Sequence, residues 1–253
     1  MSAMLEVRGL SKAFGGVHAV EELGFDLHAG ERLALIGPNG AGKSTSFQML
    51  MGELRPDAGT ARFEGVDLVG KDPREIWALG VGRTFQITSV FASMTVAQNV
   101  QTALQARNGE SFDPVRRARD RRRDEAVALL ERVGMAEQSD RPASVLAYGD
   151  VKRLEFAIAL AGAPRLLLMD EPTAGMAPRE RHALMDLVSG IVAEGGISVL
   201  FTEHDMDVVF GHADRIMVLD RGRLIADGAP DIVRADAKVR SVYLGSGAEA
   251  GHA

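Results

Sequence analysis

Residues 37–45 read Gly-Pro-Asn-Gly-Ala-Gly-Lys-Ser-Thr. From Gly37 to Ser44 the spacing is G-x-x-x-x-G-K-[ST], a pattern that cradles phosphates. Gly37, Gly40 and Gly42 let backbone N–H groups turn inward onto phosphate oxygens that side chains would block. Pro38, Asn39 and Ala41 complete the loop, and Thr45 carries the chain onward from it. Lys43 is placed to reach the β- and γ-phosphates of a nucleoside triphosphate, and the Ser44 hydroxyl to ligate Mg2+. Far downstream, residues 166–171 read Leu-Leu-Leu-Met-Asp-Glu. Four apolar residues and then two acids suit a strand that ends in carboxylates. Asp170 can hold Mg2+ through water, and Glu171 can polarise a water attacking the γ-phosphate.

The elements that must position these groups are legible on either side. ERLALIG before the loop is apolar enough for a buried strand, and KSTSFQMLMG after it can run as a helix, whose positive end then faces the anion. LEVRGL and GTARFEG read as further strands near the start, each bounded by Gly or charge. From about Gln86 to Leu160 a helical pattern dominates. Ala126, Leu129, Leu130 and Val133 have i, i+3, i+4, i+7 spacing, with Gly134 as a stop. Later, RLLLMD, SVLFT and RIMVLD read as strands, and Leu184, Leu187, Val188 and Ile191 mark an amphipathic helix closed by Gly195 and Gly196. The organisation expected is an α/β core at 1–86 and 161–245, a helical insert at about 87–160, and a disordered tail at 246–253.

Bulk properties narrow the options. The 253 residues suffice for one large α/β domain or a core with a subdomain. A net charge of −6 argues against a nucleic-acid partner. The chain has no cysteine, which excludes disulfides, thiolate metal sites and thiol nucleophiles and suits a reducing compartment. MSAMLEVRGLSK lacks the charged start and apolar core of a signal peptide, and no run reaches the ~18 apolar residues of a membrane span. Residues 115–123, VRRARDRRR, carry six Arg and one Asp. They read either as the solvated face of a helical hairpin or as a contact for a partner or for anionic lipid headgroups.

Taken together, these motifs resemble the ATP-binding subunit of an ABC transporter over nearly the whole chain. Phe14 in SKAFGG stands where that family has an aromatic stacking on adenine. Gln86 in GRTFQ matches its Q-loop glutamine, which contacts Mg2+ or water and links the core to the helical insert. LAYGD at 146–150 holds the position of the signature sequence, so Ala147, Tyr148 and Gly149 are implied to face nucleotide. TAGM at 173–176 stands at the D-loop position, and His204 in FTEHD matches the switch histidine that senses γ-phosphate. The resemblance implies a P-loop core with a mixed sheet, an antiparallel N-terminal β subdomain and an inserted α-helical subdomain. It also implies ATP hydrolysis with Mg2+, with Glu171, His204 and Gln86 catalytic and Ser44, Gln86 and Asp170 around the metal.

Two departures stand out. Ala147 replaces the usual signature Ser, whose hydroxyl donates to the γ-phosphate held by the opposite subunit; losing such a bond costs roughly 1.5–3 kcal/mol. Met176 replaces a frequent D-loop Asp. The AGM form, EHDMDVVF, DRIMVLDRGRLIADG and VYLG resemble the branched-chain amino acid uptake group, in particular its larger ATPase subunit. That likeness implies a second ABC ATPase subunit, integral membrane permease subunits and, indirectly, a periplasmic binding protein, at the cytoplasmic face of the inner membrane. The homodimeric ATPase of lipopolysaccharide export is a second likeness. A soluble ABC protein acting on ribosomes or DNA is a third, set against by the single ATP domain and the lack of sustained heptads.

Overall fold

The short buried runs and glycine-rich turns of the sequence do form an α/β fold. The computed structural model describes residues 3–84, 90–109 and 122–244. In chain order the elements are β1 (Leu5–Phe14), β2 (Val17–Leu27), β3 (Arg32–Ile36), α1 (Lys43–Leu50), β4 (Ala58–Phe63), β5 (Val66–Asp67), α2 (Pro73–Ala78), β6 (Val81–Thr84), α3 (Val96–Arg107), α4 (Arg123–Arg132), α5 (Tyr148–Ala161), β7 (Leu166–Asp170), α6 (Pro178–Gly195), β8 (Ser198–Thr202), α7 (Met206–His212), β9 (Arg215–Asp220), β10 (Arg223–Gly228) and α8 (Pro230–Ala235). None of these helices is long and apolar enough to cross a membrane. Two compact units emerge, one of residues 1–76 with 198–253 and one of residues 77–197.

The first unit holds two sheets. One is antiparallel, in the order β2-β1-β4-β5. Its strands alternate: Leu5, Val7, Leu23, Phe25, Leu27, Ala61 and Phe63 are buried, with polar residues or Gly24 between them. This is the pattern of a sheet with one face in the core. The other runs β10-β9-β3-β8. There β3 lies parallel to both β8 and β9, and β10 turns back antiparallel to β9, so the sheet is mixed. Leu33, Ala34, Leu35 and Ile36 of β3 and all of β8 are buried, as parallel strands covered on both faces require. At the start of β3, Arg32 donates through its backbone N–H and guanidinium to Asp214 at 2.6–3.1 Å. That bond holds the entrances of β3 and β9 together.

In the second unit, β6 and β7 pair in parallel, and α3, α4 and α5 pack on one another. A capping box opens α3: Thr95 accepts from the Gln98 N–H while the Gln98 side chain accepts from the Thr95 N–H. The helix predicted from Ala126 to Val133 is α4, with Ala126 and Leu130 buried. Gly134 then adopts φ 72°. The expected amphipathic helix is α6, closed by left-handed Gly196. The expected insert of about 87–160 lies inside this unit, whose limits also take in β6, β7 and α6. The tail at 246–253 lies outside the described residues.

The structure adds one long strand that periodicity did not suggest. β2 carries Glu21 and Glu22 in its middle, which break the alternation, yet it pairs with β1 from Leu5↔Leu27 to Phe14↔Val17. Register shifts absorb the irregular residues, and Glu22 takes φ 49°.

Candidate functional site

β3 delivers the chain to the phosphate loop, and the loop is shaped by contacts within the first unit. A Cβ on Gly37 would stand 2.2 Å from the Leu219 carbonyl oxygen, and one on Gly42 2.3 Å from that of Ala19. Gly42, at φ 104°, also turns the chain into α1. No residue with a side chain fits either place. The Ala41 N–H donates to the Pro38 carbonyl (3.1 Å), and the Gly222 N–H donates to the Ala41 carbonyl (3.0 Å), so the β9–β10 turn buttresses the loop. Below it Phe47 is fully buried. Truncating such a side chain costs about 3–5 kcal/mol, so the loop stands on a rigid base.

The electrostatics of this cradle favour an anion. The first-turn N–H groups of a helix have no carbonyl one turn earlier to bond, and α1 has no acidic residue in its first turn. Lys43 is 6% exposed, with its ammonium donating to the carbonyls of Gly37 (2.7 Å) and Pro38 (3.2 Å). Its charge therefore lies folded over the loop rather than out in solvent. Ser44 is exposed beside it, while Ser46 is bonded back to the Gly42 carbonyl at 2.9 Å. Asn39 and Gly40 are exposed at the loop tip, and Thr45 is half-buried. A backbone cradle that requires glycine at 37 and 42, a buried cation and an exposed hydroxyl fit a nucleotide polyphosphate with its Mg2+.

Two more predicted residues lie in the same unit. Phe14 sits at the tip of the β1–β2 hairpin, half exposed, with the Lys12 ammonium 5.8 Å from its ring centroid. The same hairpin touches the loop at Gly42 through Ala19 and Val20. His204 is exposed, two residues beyond β8 and just ahead of α7, whose N-terminus is capped by Asp205. Because β3 and β8 are parallel neighbours, the loop and His204 emerge from the same end of the sheet.

The second unit carries the acids and the signature segment. β7 is buried throughout and ends at Asp170, itself 5% exposed. Glu171 comes next, half-buried, in left-handed backbone at φ 49°. That region costs a non-glycine residue roughly 1–2 kcal/mol, a kind of strain that concentrates at working sites. It opens a turn in which the Ala174 N–H donates to the Glu171 carbonyl and the Met176 N–H to the Thr173 carbonyl, both at 3.1 Å. Across the signature, Ala147 is the N-cap residue of α5 and offers no side-chain cap. Tyr148 and Gly149 begin the helix, and Asp150 puts a carboxylate in its first turn.

Gln86 and Arg116, Arg117, Arg119 and Arg121 lie outside the described residues. The last two arginines of that run are engaged inside the chain: Arg122 with Glu125 at 2.8 Å and Arg123 with Asp140 at 2.9 Å. Sequence reasoning overlooked Arg181, whose Nε donates to the Met176 carbonyl at 2.8 Å and anchors the far end of the acidic turn to α6. It also overlooked the Lys152–Glu155 pair (3.1 Å), both about 5% exposed within α5. The i, i+3 spacing of opposite charges was the available signal for that pair.

Comparison with known proteins gives this geometry its lineage. Residues 20–174 match the family model described as ABC transporter, and residues 223–249 match one described as branched-chain amino acid ATP-binding cassette transporter. The chain is 39% identical over 252 residues to the high-affinity branched-chain amino acid transport ATP-binding protein LivG of Escherichia coli K12, covering 96% of this chain and 98% of that protein. It is 36% identical over 249 residues to BraF of Pseudomonas aeruginosa, of like description, with the same coverage. Among solved structures, the ADP conformation of MJ1267, an ATP-binding cassette of an ABC transporter, superposes with a TM-score of 0.86 at 31% identity, over 97% of this chain and 100% of that one. With more than half its length matched by the family model and near-complete relatives at this identity, the chain belongs to the ABC transporter family, as an ATP-binding subunit that hydrolyses ATP.

Proposed function

We propose that this subunit drives the uptake of branched-chain, hydrophobic amino acids. The observation that carries the reading is the nearly full-length likeness to LivG and BraF, together with the match of residues 223–249. ABC ATPase subunits dimerise and work with membrane permeases. Here the partner is a second, different ATPase, the pair sits beneath permease subunits at the cytoplasmic face of the inner membrane, and a periplasmic binding protein delivers cargo.

In this reading each ATP is held between the phosphate loop of one subunit and the signature of the other. Residues 37–45 and Lys43 bind its phosphates, and Phe14 stacks on its base. Ser44, Asp170 and Gln86 would hold Mg2+, which would supply charge neutralisation at the phosphates. Glu171 orients the attacking water and accepts its proton, and His204 holds the γ-phosphate end. Nucleotide that contacts both subunits only when they are closed shifts the dimer towards closure. A core at 1–86 and 161–245 with an insert at about 87–160 would transmit that closure to the permease loops. The Ala147 signature, without hydroxyl or cap and with Asp150 beside it, makes the weaker of two unequal sites.

The test is light-scattering mass of the Glu171→Gln chain with Mg-ATP, alone and with the ATPase encoded beside it, and then leucine uptake in proteoliposomes. A dimer only with the second ATPase, and ATP-dependent leucine uptake lost with Glu171→Gln, are the expected results. A stable dimer of this chain alone would overturn the two-ATPase arrangement, and absence of leucine uptake would overturn the cargo.

A further inference from the structure

We propose that Tyr148 is a positioning residue for Glu171, tying the start of α5 to the turn that carries the carboxylate. The Tyr148 hydroxyl donates to the Ala174 carbonyl at 2.9 Å. The Ala174 N–H donates in turn to the Glu171 carbonyl at 3.1 Å. Two hydrogen bonds in series therefore run from the signature segment to the residue that handles water. The tyrosine ring backs this link. A Cβ on Gly175 would lie 3.4–3.6 Å from ring atoms and the hydroxyl, so the ring lies beside the turn with room for about one methyl group between them. Beside it, the buried Met176 methyl stands 3.7 Å from where a Gly149 Cβ would be. The Lys152 ammonium, 5.6 Å from the ring centroid and fixed by Glu155, holds the ring in place from within α5.

The physical need for such a tie is the backbone at Glu171. Its φ of 49° lies where an L-residue stays only when its surroundings hold it there. Arg181 restrains the far end of the turn at Met176, and Tyr148 restrains the middle at Ala174. The proposal rests on the reading that Glu171 orients water and that residues 146–150 face a partner-bound nucleotide. A shift of the α5 N-terminus on meeting that nucleotide then reaches Glu171 through Tyr148, so that hydrolysis in one site senses engagement of the other.

The test compares Tyr148→Phe with wild type, using the full chain in whichever assembly gives wild-type turnover. The ring and its contacts stay; only the hydroxyl goes. ATP affinity should hold within about twofold while kcat falls about threefold to tenfold, the size of one partly solvated hydrogen bond. In a Glu171→Gln background, single-turnover hydrolysis should show no further loss from Tyr148→Phe, because the two residues act in one chain of contacts. Unchanged kcat in Tyr148→Phe, or an equal loss in both backgrounds, would overturn the tie while leaving the site reading intact. Wild-type turnover by Glu171→Gln would instead remove the reading on which the tie rests.

Discussion

The phosphate loop and the signature segment are built alike and prepared differently. Each is a loop that runs straight into a helix N-terminus, the local geometry that favours an anion. At 37–45, glycines clear the cradle, α1 has no acid in its first turn, and Lys43 lies buried over the loop. At 146–150, Ala147 leaves α5 without a side-chain cap, Asp150 opposes an approaching anion, and Tyr148 turns to the chain's own Ala174. A helix N-terminus is therefore only half a site. How well it can hold phosphate depends on the three or four side chains around it.

Substitutions can break that contrast, beginning where the effect is largest. Lys43→Ala removes the cation from the prepared end and should weaken ATP binding by roughly tenfold to a hundredfold, the worth of a charged hydrogen bond. Titration calorimetry checks it, and wild-type affinity would erase the distinction between the two ends. Ala147→Ser gives α5 the cap it lacks and should stabilise the protein by about 1 kcal/mol, or 2–4 °C in Tm. ATPase in the assembled complex should rise or stay level, and a large fall would mean that alanine is part of a tuned site. Asp150→Asn removes the opposing charge. It should tighten ATP in the assembled complex by about twofold to fivefold while costing the helix a few tenths of a kcal/mol; looser binding would show that the carboxylate helps.

A control at the opposite end of β3 from the phosphate loop sharpens the contrast. Burial would raise the Asp214 carboxyl, but the bonds and charge of Arg32 outweigh it and hold it below the usual carboxylate range. A folded-state pKa below the unfolded value stabilises above about pH 4. Asp214→Asn should thus cost under about 1 kcal/mol at neutral pH, and the difference from wild type should fade as pH falls through the lowered pKa. Its ATP affinity should match wild type. Denaturant melts at two pH values and one nucleotide titration suffice, and a shifted affinity would show that the entrance of β3 bears on the loop at its exit.

Most of the phosphate loop was legible because its chemistry is local. Strand, loop and helix are contiguous, and the amides of a phosphate cradle belong to consecutive residues, so residues 31–52 alone announce the candidate site. Asp170 and Glu171 were legible for a related reason: a buried strand that ends in acids advertises itself in six residues. The Glu171 backbone strain was not, since a left-handed conformation at glutamate has no sequence signal. β2 was missed because its pairing with β1, and not its own alternation, makes it a strand.

The sequence by itself determined the nucleotide chemistry and the family, because short-range order in the chain is enough to write those motifs. Only the tertiary structure decided why Gly37 and Gly42 must be glycine, since the atoms that exclude a side chain belong to Leu219 and Ala19. It alone placed Ala147 at the cap of α5 and sent the Tyr148 hydroxyl to a carbonyl 26 residues away. Those contacts depend on how distant segments pack, and packing distances are set by the whole core rather than by any stretch of residues within it.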